Sequence, residues 1–144
     1  MDNRTFIYIT YIATTPEKLW KALTSTEFTK QYWGRRIESD WKVGSPVKML
    51  MDDGKIDWQG EVLKYEPPHL LSYTFHFEWI EQLRSEPNSR VTFALEQKGK
   101  VVKLTVTHDE LSQNVYADIS KGWPHILSSL KSLLETGNVL DLND

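Results

Sequence analysis

Residues 114–135 read NVYADISKGWPHILSSLKSLLE, and Thr136-Gly137 follow. Val115, Ile119, Trp123, Ile126, Leu127, Leu130, Leu133 and Leu134 recur at steps of three and four, the period of a helix with one apolar stripe. Ser120, Lys121, Ser128, Ser129, Lys131, Ser132 and Glu135 fall off the stripe. Gly137 stands where a left-handed helix stop is expected. Such a helix is about 33 Å long. It cannot bury its stripe alone, so the rest of the chain has to supply a surface that wraps it. Pro124 lacks an N–H and crowds the carbonyl four residues back, which predicts a kink or a second segment opening at Pro124.

The wrapping surface is legible upstream. Thr5 to Ile12 is β-branched and aromatic, a strand with apolar residues on both faces. Thr15-Pro16-Glu17 sets a helix start, with Thr15 as N-cap and Pro16 at the first position. Leu19, Trp20 and Leu23 mark its buried face. Ser25-Thr26-Glu27 starts a second short helix carrying Phe28, Tyr32 and Trp33, and Gly34 ends it. After the Val43-Gly44-Ser45-Pro46 turn, Val47, Met49 and Met51 alternate with Lys48, Leu50 and Asp52. Asp53-Gly54 is a hairpin signal. The next strand puts Ile56, Trp58, Gly60 and Val62 on one face and ends at Pro67-Pro68.

His69 to Trp79 alternates most clearly, with Leu71, Tyr73, Phe75, Phe77 and Trp79 on one face. A polar loop, Ile80 to Asn88, precedes a strand with Val91, Phe93 and Leu95 inward. Lys98-Gly99-Lys100 then turns the chain into a strand with Val102, Leu104, Val106 and His108 inward. The result is an α+β chain: six antiparallel strands curved around a long C-terminal helix, with two short helices after the first strand. One domain spans residues 1–144, with 138–144 as a loosely ordered tail.

The bulk properties narrow the function classes. The chain has 144 residues, 40% hydrophobic and 26% charged, the make-up of an ordinary soluble domain. A net charge of −3, with no basic run beyond Arg35-Arg36, argues against nucleic acid. The absence of cysteine removes disulfides and thiolate chemistry and fits a cytoplasmic setting. No apolar run reaches the ~20 residues of a membrane span, so no membrane insertion is expected. Met1-Asp2-Asn3-Arg4 does not open a signal peptide.

The order of elements and four local motifs resemble the START-like superfamily, also called helix-grip or SRPBCC. Within it the chain is similar to the branch related to the activator of heat-shock-protein ATPase. The motifs are the strand-to-helix passage from Ile12 to Thr24, with Thr15-Pro16-Glu17 and Leu19-Trp20 inside it; Tyr32-Trp33; Trp58-Gly60-Val62 with Tyr65-Glu66-Pro67; and Gly122-Trp123. The resemblance implies an antiparallel sheet gripping the last helix, often over an apolar cavity. Members include lipid and polyketide binders, aromatase/cyclases and co-chaperone domains, so the fold leaves function open.

The aromatic stripe is the first candidate site. Trp58, Tyr73, Phe75, Phe77, Phe93, Leu104, Val106, His108, Trp123 and Leu127 are expected to line a cavity between sheet and helix for a small hydrophobic, lipid-like or planar aromatic ligand. The competing reading is that these rings fill the core, where each is worth ~1.5–3 kcal/mol. Tyr73 and Trp58 carry polar handles for a ligand or for backbone. His108 is either a ligand contact or general acid/base, or a histidine satisfied at the rim by solvent or Glu110. His69 and His76 read as exposed.

No H-x-x-x-H or H-E-x-x-H pattern supports a metal at His108 and His125, and no motif implies a cofactor. No catalytic constellation stands out; a cyclase or hydrolase using His108 is the enzymatic alternative. Asp52, Asp53 and Asp57 are accounted for by hairpin chemistry. Tyr32, Trp33, Trp41 and Arg35-Arg36 make either a patch for a protein partner or a staple holding the short helices to the sheet.

Overall fold

The computed structural model describes residues 3–140. Met1, Asp2 and residues 141–144, the end of the expected tail, lie outside the described residues. The chain opens with β1 (Arg4–Ile12), α1 (Pro16–Thr24) and α2 (Thr26–Tyr32). Six strands follow: β2 (Arg36–Ser39), β3 (Pro46–Leu50), β4 (Ile56–Glu66), β5 (Leu70–Phe77), β6 (Ser89–Lys98) and β7 (Val101–Leu111). A single 3-10 turn, Glu81–Leu83, lies between β5 and β6. The long helix, α3, is Gln113–Thr136.

Among the described residues the sheet has seven strands in the order β1-β7-β6-β5-β4-β3-β2, every pair antiparallel. The chain therefore starts at one edge, crosses to the other through α1 and α2, and walks back by hairpins until β7 meets β1. The α+β helix-grip architecture is as expected. The expected strand count of six omits β2. Its four residues offer one buried side chain, Ile37, which is too short a run for alternation to register. Hydroxyls of α2 hold it: Thr26 Oγ1 donates to Ile37 O at 2.6 Å, and Ile37 N donates to Thr29 Oγ1 at 3.3 Å.

The caps follow the sequence closely. Thr15 Oγ1 accepts from Lys18 N at 3.2 Å, with Pro16 opening α1. Ser25 occupies the N-cap position of α2 without a side-chain cap bond. Ser112 Oγ accepts from Val115 N at the start of α3, and Gly137 (φ 84°) closes it with its N–H on Leu133 O. The helix runs unbroken through Pro124, so no second segment opens there. Beyond it, Asn138 O accepts from Ser132 Oγ at 2.7 Å and Leu140 N donates to Ser129 Oγ at 3.3 Å.

One core fills the grip. Val115, Ile119, Trp123, Leu127, Leu130 and Leu133 of α3 are buried against the inner faces of the strands. Gly60 permits a close approach of β5 to β4: a Cβ there would sit 1.7 Å from Thr74 O. The open edge of β1 is partly tied to α3. Lys131 Nζ donates to Tyr11 O at 2.6 Å, and Glu135 Oε2 accepts from Ala13 N at 2.8 Å.

Candidate functional site

The inner faces of β4 and β5 carry the aromatic stripe, and most of it is consumed by packing. Tyr73 stacks on Trp58 with centroids 5.3 Å apart, and Phe93 meets Trp123 edge-on at 5.9 Å. Leu104, Val106 and Leu127 are fully or almost fully buried among them. At one end the packing leaves a gap of about 190 Å³. Trp33, Trp58, Trp79 and Trp123 wall it with Phe75, Phe77, Ile80, Ile119 and Ile126; Arg35, Asp57, Asp118 and Gly122 complete it.

Of the ten residues expected to line a cavity, Trp58, Phe75, Phe77 and Trp123 do so. Tyr73, Phe93, Leu104, Val106, His108 and Leu127 lie in the closed core beyond it. The gap sits where α3 presents Asp118 and Gly122 beside Ile119 and Trp123. Neither fills the space that a leucine would. Gly122 is unusual inside a helix, where it costs about 1 kcal/mol relative to Ala. A Cβ added there meets nothing within 4 Å.

Trp33 closes the gap from α2. Its ring lies edge-on to Trp123 at 5.4 Å and tilted over Trp58 at 5.9 Å. Of the aromatic and basic cluster around it, Tyr32 donates from its hydroxyl to Ala22 O at 2.9 Å. Trp41 stacks on Tyr65 and donates Nε1–H to Thr24 O at 3.1 Å. Arg36 reaches Met51 O at 3.4 Å. The cluster thus staples the short helices to the sheet, with Trp33 and Arg35 turned to the cavity.

The polar groups at the cavity come from positions that alternation assigns elsewhere. Asp57 is the extra residue of a β-bulge: Met49 pairs with Trp58 and Leu50 with Ile56, which leaves Asp57 unopposed. Its carbonyl accepts from Glu78 N at 2.9 Å and Trp79 N at 3.1 Å. Its carboxylate takes the Arg35 Nε–H at 3.1 Å, so it serves the cavity rim rather than the hairpin turn. Burial pushes Asp57 above the usual carboxylate range, against the pull of Arg35. Asp118 is also raised, first by the shielding of its carboxyl and then by the charge of Asp57; Lys121 opposes this. Trp79 stands at the mouth, 49% exposed, because β5 ends at Phe77 and the stripe loses its inward direction there.

His108 is fully buried, and both ring nitrogens are engaged. Trp123 Nε1–H donates to His108 Nδ1 at 3.0 Å, which leaves Nε2–H to donate to Ser89 Oγ at 2.7 Å. Ser89 Oγ in turn donates to Phe75 O at 3.3 Å. Burial pushes the His108 pKa down to about 3, against the pull of Asp109. Its partners are therefore Ser89 and Trp123, not solvent or Glu110. His76 is half-buried rather than exposed, with Nδ1 2.6 Å from Glu78 Oε2 and Nε2 2.8 Å from Arg84 O. The indole N–H groups of Trp58 and Trp20 have no hydrogen-bond partner among the described residues. Nor do three His, Cys, Asp or Glu side chains converge there as a metal site would require.

A curved antiparallel sheet closed over a C-terminal helix, with an aromatic gap between them, defines a helix-grip domain. Residues 13–135 match the model of a family described as activator of Hsp90 ATPase homolog 1-like protein, and the chain belongs to that family. A crystal structure of a Mesorhizobium loti protein is 27% identical, covers 91% of this chain and 96% of its own, and superposes with a TM-score of 0.78. The solution structure of the Aha1 dimer from Colwellia psychrerythraea is 24% identical over 93% of this chain and 98% of its own, with a TM-score of 0.75. An HSP90 activator from Plasmodium falciparum is 24% identical over 90% and 95%, with a TM-score of 0.74. At 24% identity the last two likenesses show the fold alone. No curated protein sequence matches the chain.

Proposed function

We propose that this protein binds a small hydrophobic molecule in the gap between β4, β5 and α3. The observation that carries the reading is the gap itself: about 190 Å³ walled by six aromatic rings and set against the gripped helix. Protein interiors rarely leave such space. An apolar cavity of about 150 Å³ is enough to take up benzene. Trp58, Phe75, Phe77 and Trp123 form the walls and Trp33 the lid.

Gly122→Leu tests the reading. The side chain enters open space on the cavity face of α3, and the helix gains propensity by up to about 1 kcal/mol. The expected outcome is loss of binding with the thermal midpoint unchanged or raised. Binding is followed by amide NMR shifts at Trp33, Trp58 and Trp123 against a panel of fatty acids and aromatic compounds. Ligand affinity that survives Gly122→Leu rules the gap out as the site.

A protein partner is the second reading, favoured by the family and by one surface feature. Ile7, Ile9 and Tyr11 form a row on the outer face of the edge strand β1, each 50–58% exposed. A contiguous apolar row on a strand edge suits a partner surface. An Hsp90-type ATPase whose rate responds to this protein, and no longer responds to Ile9→Lys, supports it; no change in rate with the unaltered protein counts against it.

A further inference from the structure

Charge at the cavity is unbalanced. Arg35 lines the cavity with two carboxylates, Asp57 and Asp118, and is already committed to Asp57 through Nε and to Gly34 O through Nη1. Among the described residues no hydrogen bond or ion pair holds the Asp118 carboxylate. Lys121 lies one turn along α3 and lines the adjoining outer groove, with Asp118 shared between the two. The lining of the cavity itself therefore holds two carboxylates to one cation, with Lys121 acting on Asp118 from the adjoining groove.

Its walls point the same way. Trp33, Trp58, Trp79 and Trp123 present indole rings, the strongest side-chain partners of an organic cation, and Phe75 and Phe77 add two more faces. A purely aliphatic ligand would gain nothing from the ring quadrupoles or from the rim carboxylate. An anion would meet both as repulsion.

Resting on the reading that the gap holds a small hydrophobic ligand, we propose that this ligand is an organic ammonium about the size of one substituted ring. Its apolar body lies between Trp33, Trp58 and Trp123, and its cationic nitrogen faces Asp118. The volume sets the size and the excess carboxylate sets the charge.

Three isosteric probes test it: phenethylamine, 2-phenylethanol and 3-phenylpropionate, titrated by calorimetry and by tryptophan fluorescence at neutral pH. The expected order is amine first, alcohol about tenfold weaker and carboxylate weaker still. Asp118→Asn lies at the exposed rim and removes the amine's advantage over the alcohol. Asp118→Lys reverses the order in favour of the carboxylate. Alcohol binding as tight as amine binding, or an amine preference that survives Asp118→Asn, overturns the charge assignment and leaves the ligand-binding reading standing. No binding of any of the three, with Gly122→Leu equally silent across the wider panel, overturns both.

Discussion

Between its ordinary value of 6.5 and the value of about 3 that it has in the fold, His108 binds a proton only when the chain is unfolded. The sign follows from linkage. The unfolded state takes up more protons in this window, so stability is complete above pH 6.5 and falls as pH drops, by up to about 1.4 kcal/mol per unit. Asp57 and Asp118 act in the opposite sense, because their raised values make the folded state the better proton acceptor. From about pH 7.5 to about 5.5 the histidine by itself removes about 1.4 kcal/mol, which urea denaturation of the protein against His108→Gln isolates. The ring Cε1–H resonance of His108 should stay still down to about pH 4. A midpoint near 6 would mean that the Trp123–His108–Ser89 chain is open to water. The same geometry explains why alternation singled out this residue without revealing its role. Alternation shows that a side chain points inward, not that Trp123 and Ser89 arrive from α3 and β6 to occupy both nitrogens.

At the scale of elements, periodicity carried the reading wherever a strand was regular and long. It failed where the strand was interrupted. The bulge at Asp57 turns a nominally outward residue towards Arg35, and nothing in the run Ile56-Asp57-Trp58 announces an extra residue. The end of β5 at Phe77 releases Trp79 to the mouth for a related reason, since the two-residue repeat continues in sequence after the pleat has stopped. β2 was invisible because four residues bury one side chain. Gly60 is the opposite case, a residue whose spacing was legible but whose necessity was not. Only the folded sheet puts Thr74 O in the place of its Cβ. Gly60→Ala therefore has to separate β4 from β5, backbone against backbone, with no flexible side chain to yield. The expected loss is about 3 kcal/mol or more, measured by chemical denaturation. A loss below about 1 kcal/mol would show that the two strands part easily there.

Across the whole molecule the two apolar features lie far apart in the topology. The cavity draws on β4 and β5, on the half of the sheet that ends at β2, and opens on the helix-covered face. The row Ile7, Ile9 and Tyr11 belongs to β1, at the other edge and on the outer face. Tyr11 O points away from β7, since it accepts from Lys131. Residues two and four positions earlier share that orientation, so Ile9 and Ile7 present backbone as well as side chain to the free edge. Mutations at separated sites without shared partners act independently. Ile9→Lys should accordingly leave ligand affinity within about twofold and stability within about 0.5 kcal/mol, because the side chain it replaces is already half in water. Any self-association or partner binding through β1 should fall, since a charge on an edge strand opposes strand pairing. Titration of phenethylamine into Ile9→Lys, beside sedimentation of both proteins, makes the comparison in one preparation. A parallel loss of ligand affinity would mean that the β1 edge and the cavity are coupled through α3, whose Lys131 and Glu135 hold one and whose Asp118 and Trp123 hold the other.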